Sequence, residues 1–288
     1  MSIYQLECPI CHNQNDITVS VCSSCGSISK YTANVRRALI PSEVAKLDAN
    51  YKVAKEILRD KMLKREGALF ESEVQVKGKA VINLDFKYLW EWLMHGSTDY
   101  MSYRRLVLQN IRPRATFLND NVRSSVETAL FGSEVDIIYA ALTVNDLGLS
   151  SYGPISVVLH AKQIEKRTSL LEKNSFLFIE DAIGLGWNLF KPLPTGHFAP
   201  WTKRSKLAIN KVYQQITQNI SEGEMAQLVL KSTGDRSLDD FFELYIYGQI
   251  NKGVVELIKF PVYLLEKMSE EELIQYEELK NNYKVEEY

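Results

Sequence analysis

All four cysteines of this chain fall within its first 25 residues, as Cys8-Pro9-Ile10-Cys11 and, after ten intervening residues, Cys22-Ser23-Ser24-Cys25-Gly26. Two Cys-x-x-Cys knuckles at this spacing put four thiolates around one tetrahedral zinc. The competing use of the cysteines is two disulfides. The start Met1-Ser2-Ile3-Tyr4-Gln5-Leu6-Glu7 lacks the charged-then-apolar layout of a secretory signal, which predicts a cytoplasmic protein with reduced thiols. Four cysteine ligands leave no open position for water, so the zinc is expected to be structural, with His12 outside the ligand set. About twenty residues cannot bury enough apolar surface to fold alone, so the metal supplies the folding free energy. A ribbon of this kind can grip nucleic acid, dock a protein or cap a domain, and the sequence does not choose among these.

The chain has 288 residues, 45% hydrophobic and 24% charged, with a formal net charge of -2. This is an ordinary globular composition, enough for one large core and a small module. Any nucleic-acid contact must come from a local patch. No apolar run reaches the length of a membrane span. There is no Gly-x-x-x-x-Gly-Lys-Ser/Thr loop, no His-Glu-x-x-His and no Gly-x-Ser-x-Gly elbow, and Gly184-Leu185-Gly186 is too isolated to count as a dinucleotide fingerprint. With only four histidines, a multi-histidine metal site is disfavoured.

Residues 1–40 are read as the zinc ribbon and 41–83 as a linker helix with short strands. A main domain follows over 84–265, then a tail over 266–288 that is a terminal helix or a loose end. Val44, Leu47, Tyr51, Ala54, Leu58 and Met62 mark one face of a helix running from Ser42 to Arg65, bracketed by Pro41 and Gly67. Val74–Val76 and Ala80–Ile82 read as paired strands around Lys77-Gly78. Phe86 to Leu93, Asp99 to Asn110, Asn121 to Ala129 and Lys206 to Asn219 read as helices. Val135 to Ala140, Ile155 to Leu159, Phe176 to Ile179, Met225 to Leu230 and Phe241 to Ile250 read as strands. Hairpin-like connections outnumber helical crossovers, which predicts an α+β domain with largely antiparallel sheets.

Two stretches carry candidate chemistry. At Leu93-Met94-His95-Gly96-Ser97 an apolar, strand-like run ends in an imidazole, a backbone open to close approach and a hydroxyl, just before a helical segment. A plain polar turn is the bland reading. In Glu243-Leu244-Tyr245-Ile246-Tyr247-Gly248 the alternation of a strand puts Glu243, Tyr245 and Tyr247 on one face. A carboxylate among aromatics there is desolvated unless it has a partner or a function. Its bland reading is an edge glutamate paired with a basic side chain.

In chain order, His95-Gly96-Ser97, the Tyr139 strand and Glu243-x-Tyr245-x-x-Gly248 resemble the His-Tyr-Glu class of ADP-ribosyltransferases. The segment Tyr152 to Leu159, with Arg167-Thr168-Ser169 and Asn174-Ser175-Phe176, is similar to the middle strands of bacterial members. The resemblance covers about residues 84 to 260 and leaves out the ribbon and linker. It implies a split antiparallel sheet with NAD, a substrate, lying across it. It implies that His95 and Ser97 hold the nicotinamide ribose, that the Gly96 backbone holds the amide, and that Tyr139 or Tyr152 stacks on nicotinamide. Glu243 would stabilise the oxocarbenium-like state as nicotinamide leaves. Arginine-modifying members of the other class carry a second glutamate two residues earlier; Phe241 stands there, which disfavours arginine as acceptor.

Pro200-Trp201-Thr202-Lys203-Arg204-Ser205-Lys206 sets three cations beside an aromatic. Trp201, Lys203, Arg204 and Lys206 are therefore candidate contacts to an RNA or DNA acceptor, with a solvated helix start as the bland reading. By resemblance, the chain would be a bacterial toxin or anti-phage effector with a neutralising antitoxin protein. The alternative is a zinc-ribbon nucleic-acid-binding or scaffolding protein whose transferase-like domain is inactive.

Overall fold

The computed structural model describes residues 4–95, 99–110, 118–132, 136–188 and 191–288. At its N-terminal end, strands β1 (Gln5–Glu7) and β2 (Gln14–Asp16) pair antiparallel. A bridge from Val21 to Ile28 closes the second knuckle. Among its described residues this module gathers Tyr4, Ile17 and Ile40 into a core, with Leu6 against them, too little to fold without help. It is anchored instead. The Tyr4 hydroxyl donates to the Ala129 carbonyl at 3.0 Å. The Ala33–Ala38 helix is buried at every residue, and its Arg36 guanidinium donates to the carbonyls of Ile17 and Tyr31.

Among the described residues the main sheet is mixed and eight-stranded. Its strands are β3 (Lys79–Leu84), β4 (Ile137–Thr143), β5 (Ile155–Leu159), β6 (Thr168–Leu171), β7 (Phe198–Pro200), β10 (Glu243–Tyr247), β11 (Val255–Phe260) and β12 (Val285–Glu287), in the order β12-β11-β5-β3-β4-β10-β6-β7. The minor pair β8 (Leu230–Lys231) and β9 (Asp240–Phe241) lies apart. Every pairing in the main sheet is antiparallel except β11 with β12. One face is a continuous apolar layer, with Ala80, Ile82, Ile138, Ala140, Leu244 and Ile246 in the largest core. The other face carries two smaller clusters, one around Ile137, Leu171, Phe198 and Tyr245, the other around Val81, Ala141 and Val158.

The sheet forks in its middle. β3 and β4 pair only where Lys79, Ala80 and Val81 face Thr143, Leu142 and Ala141. Beyond Val81, β3 follows β5 as far as Leu84 opposite Ile155, while β4 follows β10 as far as Ile137 opposite Tyr247. The diverging ends leave an opening between two central strands.

Several elements differ from the sequence expectation, each for a local reason. The first long helix ends at Asp60, and a second, Lys64–Lys77, absorbs the expected strand at Val74–Val76. Phe70 and Val74 are fully buried at helical spacing, and Gly67 sits inside this helix as a contact point: a Cβ there would come within 2.6 Å of Leu58 Cδ1. Phe176–Ile179 lies in the Ser175–Gly184 helix, capped by Asn174, whose side chain accepts from the Phe176 and Leu177 amides. Met225–Val229 belongs to the Glu222–Val229 helix, started by a Ser221–Glu224 capping box. Leu93, Met94 and His95 close a π-helical turn, Glu91–His95, so His95 ends a helix and not a strand. The expected tail forms the Glu270–Asn282 helix, which buries Tyr276 and Leu279, and then β12. The sheet thus takes β3 from the expected linker and β12 from the expected tail. No helix among the described residues is long and apolar enough to cross a membrane.

His197 introduces a pH-dependent lock at the β6–β7 end of the sheet. Its Nδ1 lies 2.7 Å from Glu172 Oε1. Burial opposes the charged ring, but the hydrogen bond and the Glu172 charge outweigh it, and the pKa lies above the ordinary 6.5. A raised folded-state pKa gives stability that is complete below about 6.5, the unfolded value, and is lost as pH rises through the folded one. The wild-type thermal midpoint is therefore expected to fall across that window relative to His197→Gln. Parallel pH curves for the two proteins would contradict it.

Candidate functional site

The four cysteine sulfurs lie within 4.8 Å of one another, and none is joined in a disulfide. Cys8 Sγ is 3.8 Å from Cys25 Sγ, and Cys11 Sγ is 3.6 Å from Cys22 Sγ. A tetrahedron with zinc–sulfur bonds of about 2.3 Å has edges of about 3.8 Å, so the cluster has the size that zinc requires. The Ile10 and Ser24 amides and the Asn15 side chain donate to these sulfurs, the contacts a thiolate needs. His12 stands outside, on Glu7. Removing zinc with a chelator is expected to release one metal per chain and to lower the thermal midpoint by several degrees, because Tyr4 and Arg36 tie the ribbon to the body. Metal analysis with calorimetry checks this; an unchanged midpoint after complete metal loss would refute it.

The fork between β3 and β4 opens into a cavity of about 560 Å³. Val81 to Leu84 line one side and Ile137 to Ala141 the other, with Glu243, Tyr139, Tyr152 and Arg236 among its walls. Glu243 is 6% exposed and stands on β10 where the two smaller apolar clusters meet, opposite Ala141 and Leu171. Its Oε2 accepts from the Ser175 amide at 3.0 Å and from the Tyr245 hydroxyl at 2.8 Å. The Ser175 amide belongs to the first turn of the Ser175–Gly184 helix, where the helix dipole favours an anion. Tyr245 is fully buried; burial, then the charge of Glu243, push its hydroxyl pKa well above the ordinary 10. It stays protonated and keeps donating.

Tyr139 faces Tyr245 across the β4–β10 pairing. Their rings meet edge to face at 5.6 Å, and the Tyr139 hydroxyl donates to Glu127 at 3.0 Å. Tyr152 also lines the cavity, with the Arg236 guanidinium 4.4 Å from its ring centre. Burial and then the negative charge of Glu243 raise its hydroxyl pKa. The loops holding Tyr152 and Arg236 are stitched together: Ser151 Oγ donates to Asp239 at 2.5 Å, and Arg236 Nε donates to the Ser151 carbonyl at 3.0 Å.

The structure thus gathers Glu243, Tyr139 and Tyr152 into one cavity. His95 is not among the described residues lining it; its ring lies 5.4 Å from that of Trp90. Gly96 and Ser97 lie outside the described residues. The expected acceptor patch is not an open cationic surface. Trp201 is 1% exposed and belongs to the core. Arg204 is buried, stacks on Trp201 at 4.6 Å and donates to the carbonyls of Val74, Gln75 and Trp201. Lys203 and Lys206 both pair with Asp48. The residues that composition suggested for gripping nucleic acid instead tie the start of the Arg204–Val212 helix to two others, Arg204 to the Lys64–Lys77 helix and the two lysines to the Pro41–Asp60 helix. Sequence reasoning gave no site role to Arg236, Asn174 or the Ser175 amide; the Asn-Ser cap before Phe176 was a signal for the last two, and nothing local pointed to Arg236. Compared with protein-family models and with curated proteins, the chain matches none.

Proposed function

We propose that the forked cleft binds NAD as a substrate and that the chain transfers ADP-ribose to a nucleic-acid acceptor, releasing nicotinamide. The observation that carries this reading is the meeting of Glu243 and Tyr139 on neighbouring strands at one cavity, beside the place where the sheet parts. That arrangement accords with the split sheet of the ADP-ribosyltransferase class that the chain order resembles. As the bond to nicotinamide breaks, positive charge grows on the anomeric carbon, and a carboxylate held by two donors on one oxygen stabilises it without reorganising. Tyr139 or Tyr152 offers the ring face for nicotinamide, and Arg236 offers a cation for the pyrophosphate. The ribose falls to His95, Gly96 and Ser97 by the class resemblance alone, since His95 is not among the described residues that line the cavity. The same reading makes the chain a cytoplasmic bacterial toxin or anti-phage effector, neutralised by an antitoxin protein.

The test is incubation of the zinc-loaded chain with labelled NAD and a cell extract divided into RNA, DNA and protein. Label that survives protease and disappears with nuclease is expected. Label in no fraction would sink the transferase reading in favour of an inactive scaffold. His95→Ala is expected to raise the KM for NAD about tenfold or more with a smaller change in kcat; an unchanged KM would remove His95 from the site.

A further inference from the structure

A second cavity, also about 560 Å³, lies between the zinc ribbon and the body. The ribbon side contributes Thr18, Ser20, Ser29 and Lys30, and the body contributes Arg36, Arg104 and Arg105. Among the described residues, four cations and one carboxylate, Asp136, line it, in a chain whose overall charge is slightly negative. Such a concentration of positive charge is local, so its field is directed at one place.

Two features relate this cavity to the cleft. The Tyr103–Leu108 helix stands between them: Tyr103 and Leu106 line the cleft, while Arg104, Arg105 and Leu108 line the basic cavity. Ser102 caps this helix, accepting from the Arg105 amide and donating to Asp136, and Arg105 Nε lies 3.2 Å from Asp136, so the wall is held in place. Tyr247, in the basic cavity, shares strand and face with Glu243. Four residues of strand separate them by about 13 Å. Tyr31 and Tyr247, each 36% exposed, add ring faces beside the cations. Cations that track a backbone, next to tyrosines on which bases stack, are what a single strand requires.

We propose that this cavity binds the phosphodiester backbone of a single-stranded nucleic acid, so that the zinc ribbon forms one wall of the acceptor path leading to the cleft. The proposal rests on the reading of the acceptor as nucleic acid. It also gives the ribbon a role, since Arg36 fixes it against the body through the Ile17 and Tyr31 carbonyls and so sets the width of the cavity.

The experiment is fluorescence anisotropy of labelled ten-nucleotide RNA and DNA strands on the full, zinc-loaded chain, without NAD, over a range of salt. Binding by the wild type is expected. Lys30→Glu with Ser20→Glu, both at exposed ribbon positions, is expected to weaken it tenfold or more. Arg104→Gln across the cavity is expected to weaken it and to reduce the slope of log K against log salt by about 0.7, the change for one phosphate no longer neutralised. No binding by the wild type, or equal binding by these variants, would overturn the proposal. So would an equal loss in Lys203→Glu with Lys206→Glu, or displacement of the strand by polyglutamate at matched ionic strength. Transfer of label to nucleic acid without dependence on Lys30 and Arg104 would remove the cavity alone. Strand binding without any transfer would remove the transferase reading alone.

Discussion

Glu243→Gln is expected to lower the rate of nicotinamide release and ADP-ribose transfer by about 10²–10³-fold, with the Kd for NAD changed only a few-fold. The substitution keeps the shape of the side chain and one oxygen to accept from the Ser175 amide and the Tyr245 hydroxyl, so β10 and its neighbours retain their register. What it removes is the negative charge. That charge matters little while the ribose is neutral and most when the anomeric carbon becomes cationic, so the loss falls on the transition state and not on binding. A preorganised group of this kind is worth about 10²–10³ in rate. Single-turnover nicotinamide release with calorimetric titration of NAD separates the two quantities. A Glu243→Gln variant as fast as the wild type would leave the cleft without its proposed chemistry. A variant that lost NAD affinity in proportion to rate would move Glu243 from stabilising the transition state to holding the substrate.

What could be read in the sequence was what short range encodes. The cysteine cluster depends on side chains with two and ten residues between them, and the four sulfurs meet as that spacing requires. The Glu243–Tyr247 strand was visible because alternation is a property of neighbours, and its partner Tyr139 because β4 is a run of strand-forming residues. Phe176–Ile179 misled because four apolar residues fit a strand or a buried helical turn equally well; the decision lay two residues earlier, in the Asn174 cap. The same holds for Met225 and the Ser221–Glu224 box. The Trp201–Lys206 patch misled for another reason. Composition reports which side chains are present and not which way they point, and Arg204 finds three carbonyls inside the protein. The fork of the sheet and the second cavity had no local signal at all, since both depend on which strands and loops meet across the chain.

Glu43→Gln is expected to destabilise the protein by about 3–5 kcal/mol, a large part of the roughly 5–15 kcal/mol that holds a native protein together. Glu43 is completely buried. Its Oε1 accepts from the successive amides of Gly196, His197 and Phe198 at 2.6, 2.7 and 2.8 Å, and its Oε2 accepts from Arg37 Nη1 at 2.9 Å. The Arg37 guanidinium in turn lies 4.4 Å from the ring centres of both Tyr4 and Phe198. One carboxylate therefore joins the start of the Pro41–Asp60 helix, the entry to β7 and, through Arg37, the ribbon. Glutamine cannot replace it: with its oxygen on the three amides, its NH₂ faces Arg37, donor against donor, and a buried cation is left without its anion. Removing that cation as well relieves this cost, so Arg37→Met with Glu43→Gln is expected to be less destabilised than the sum of the single changes. Urea denaturation of the four proteins measures the coupling, and strict additivity would show that the pair does not act as a unit. The consequence reaches the cleft, because the same Ala33–Ala38 helix carries Asn34, whose side chain donates to the Tyr245 carbonyl at 2.6 Å. Tyr245 is the residue whose hydroxyl fixes Glu243, so loosening this anchor is expected to cost activity at temperatures where the sheet itself remains folded.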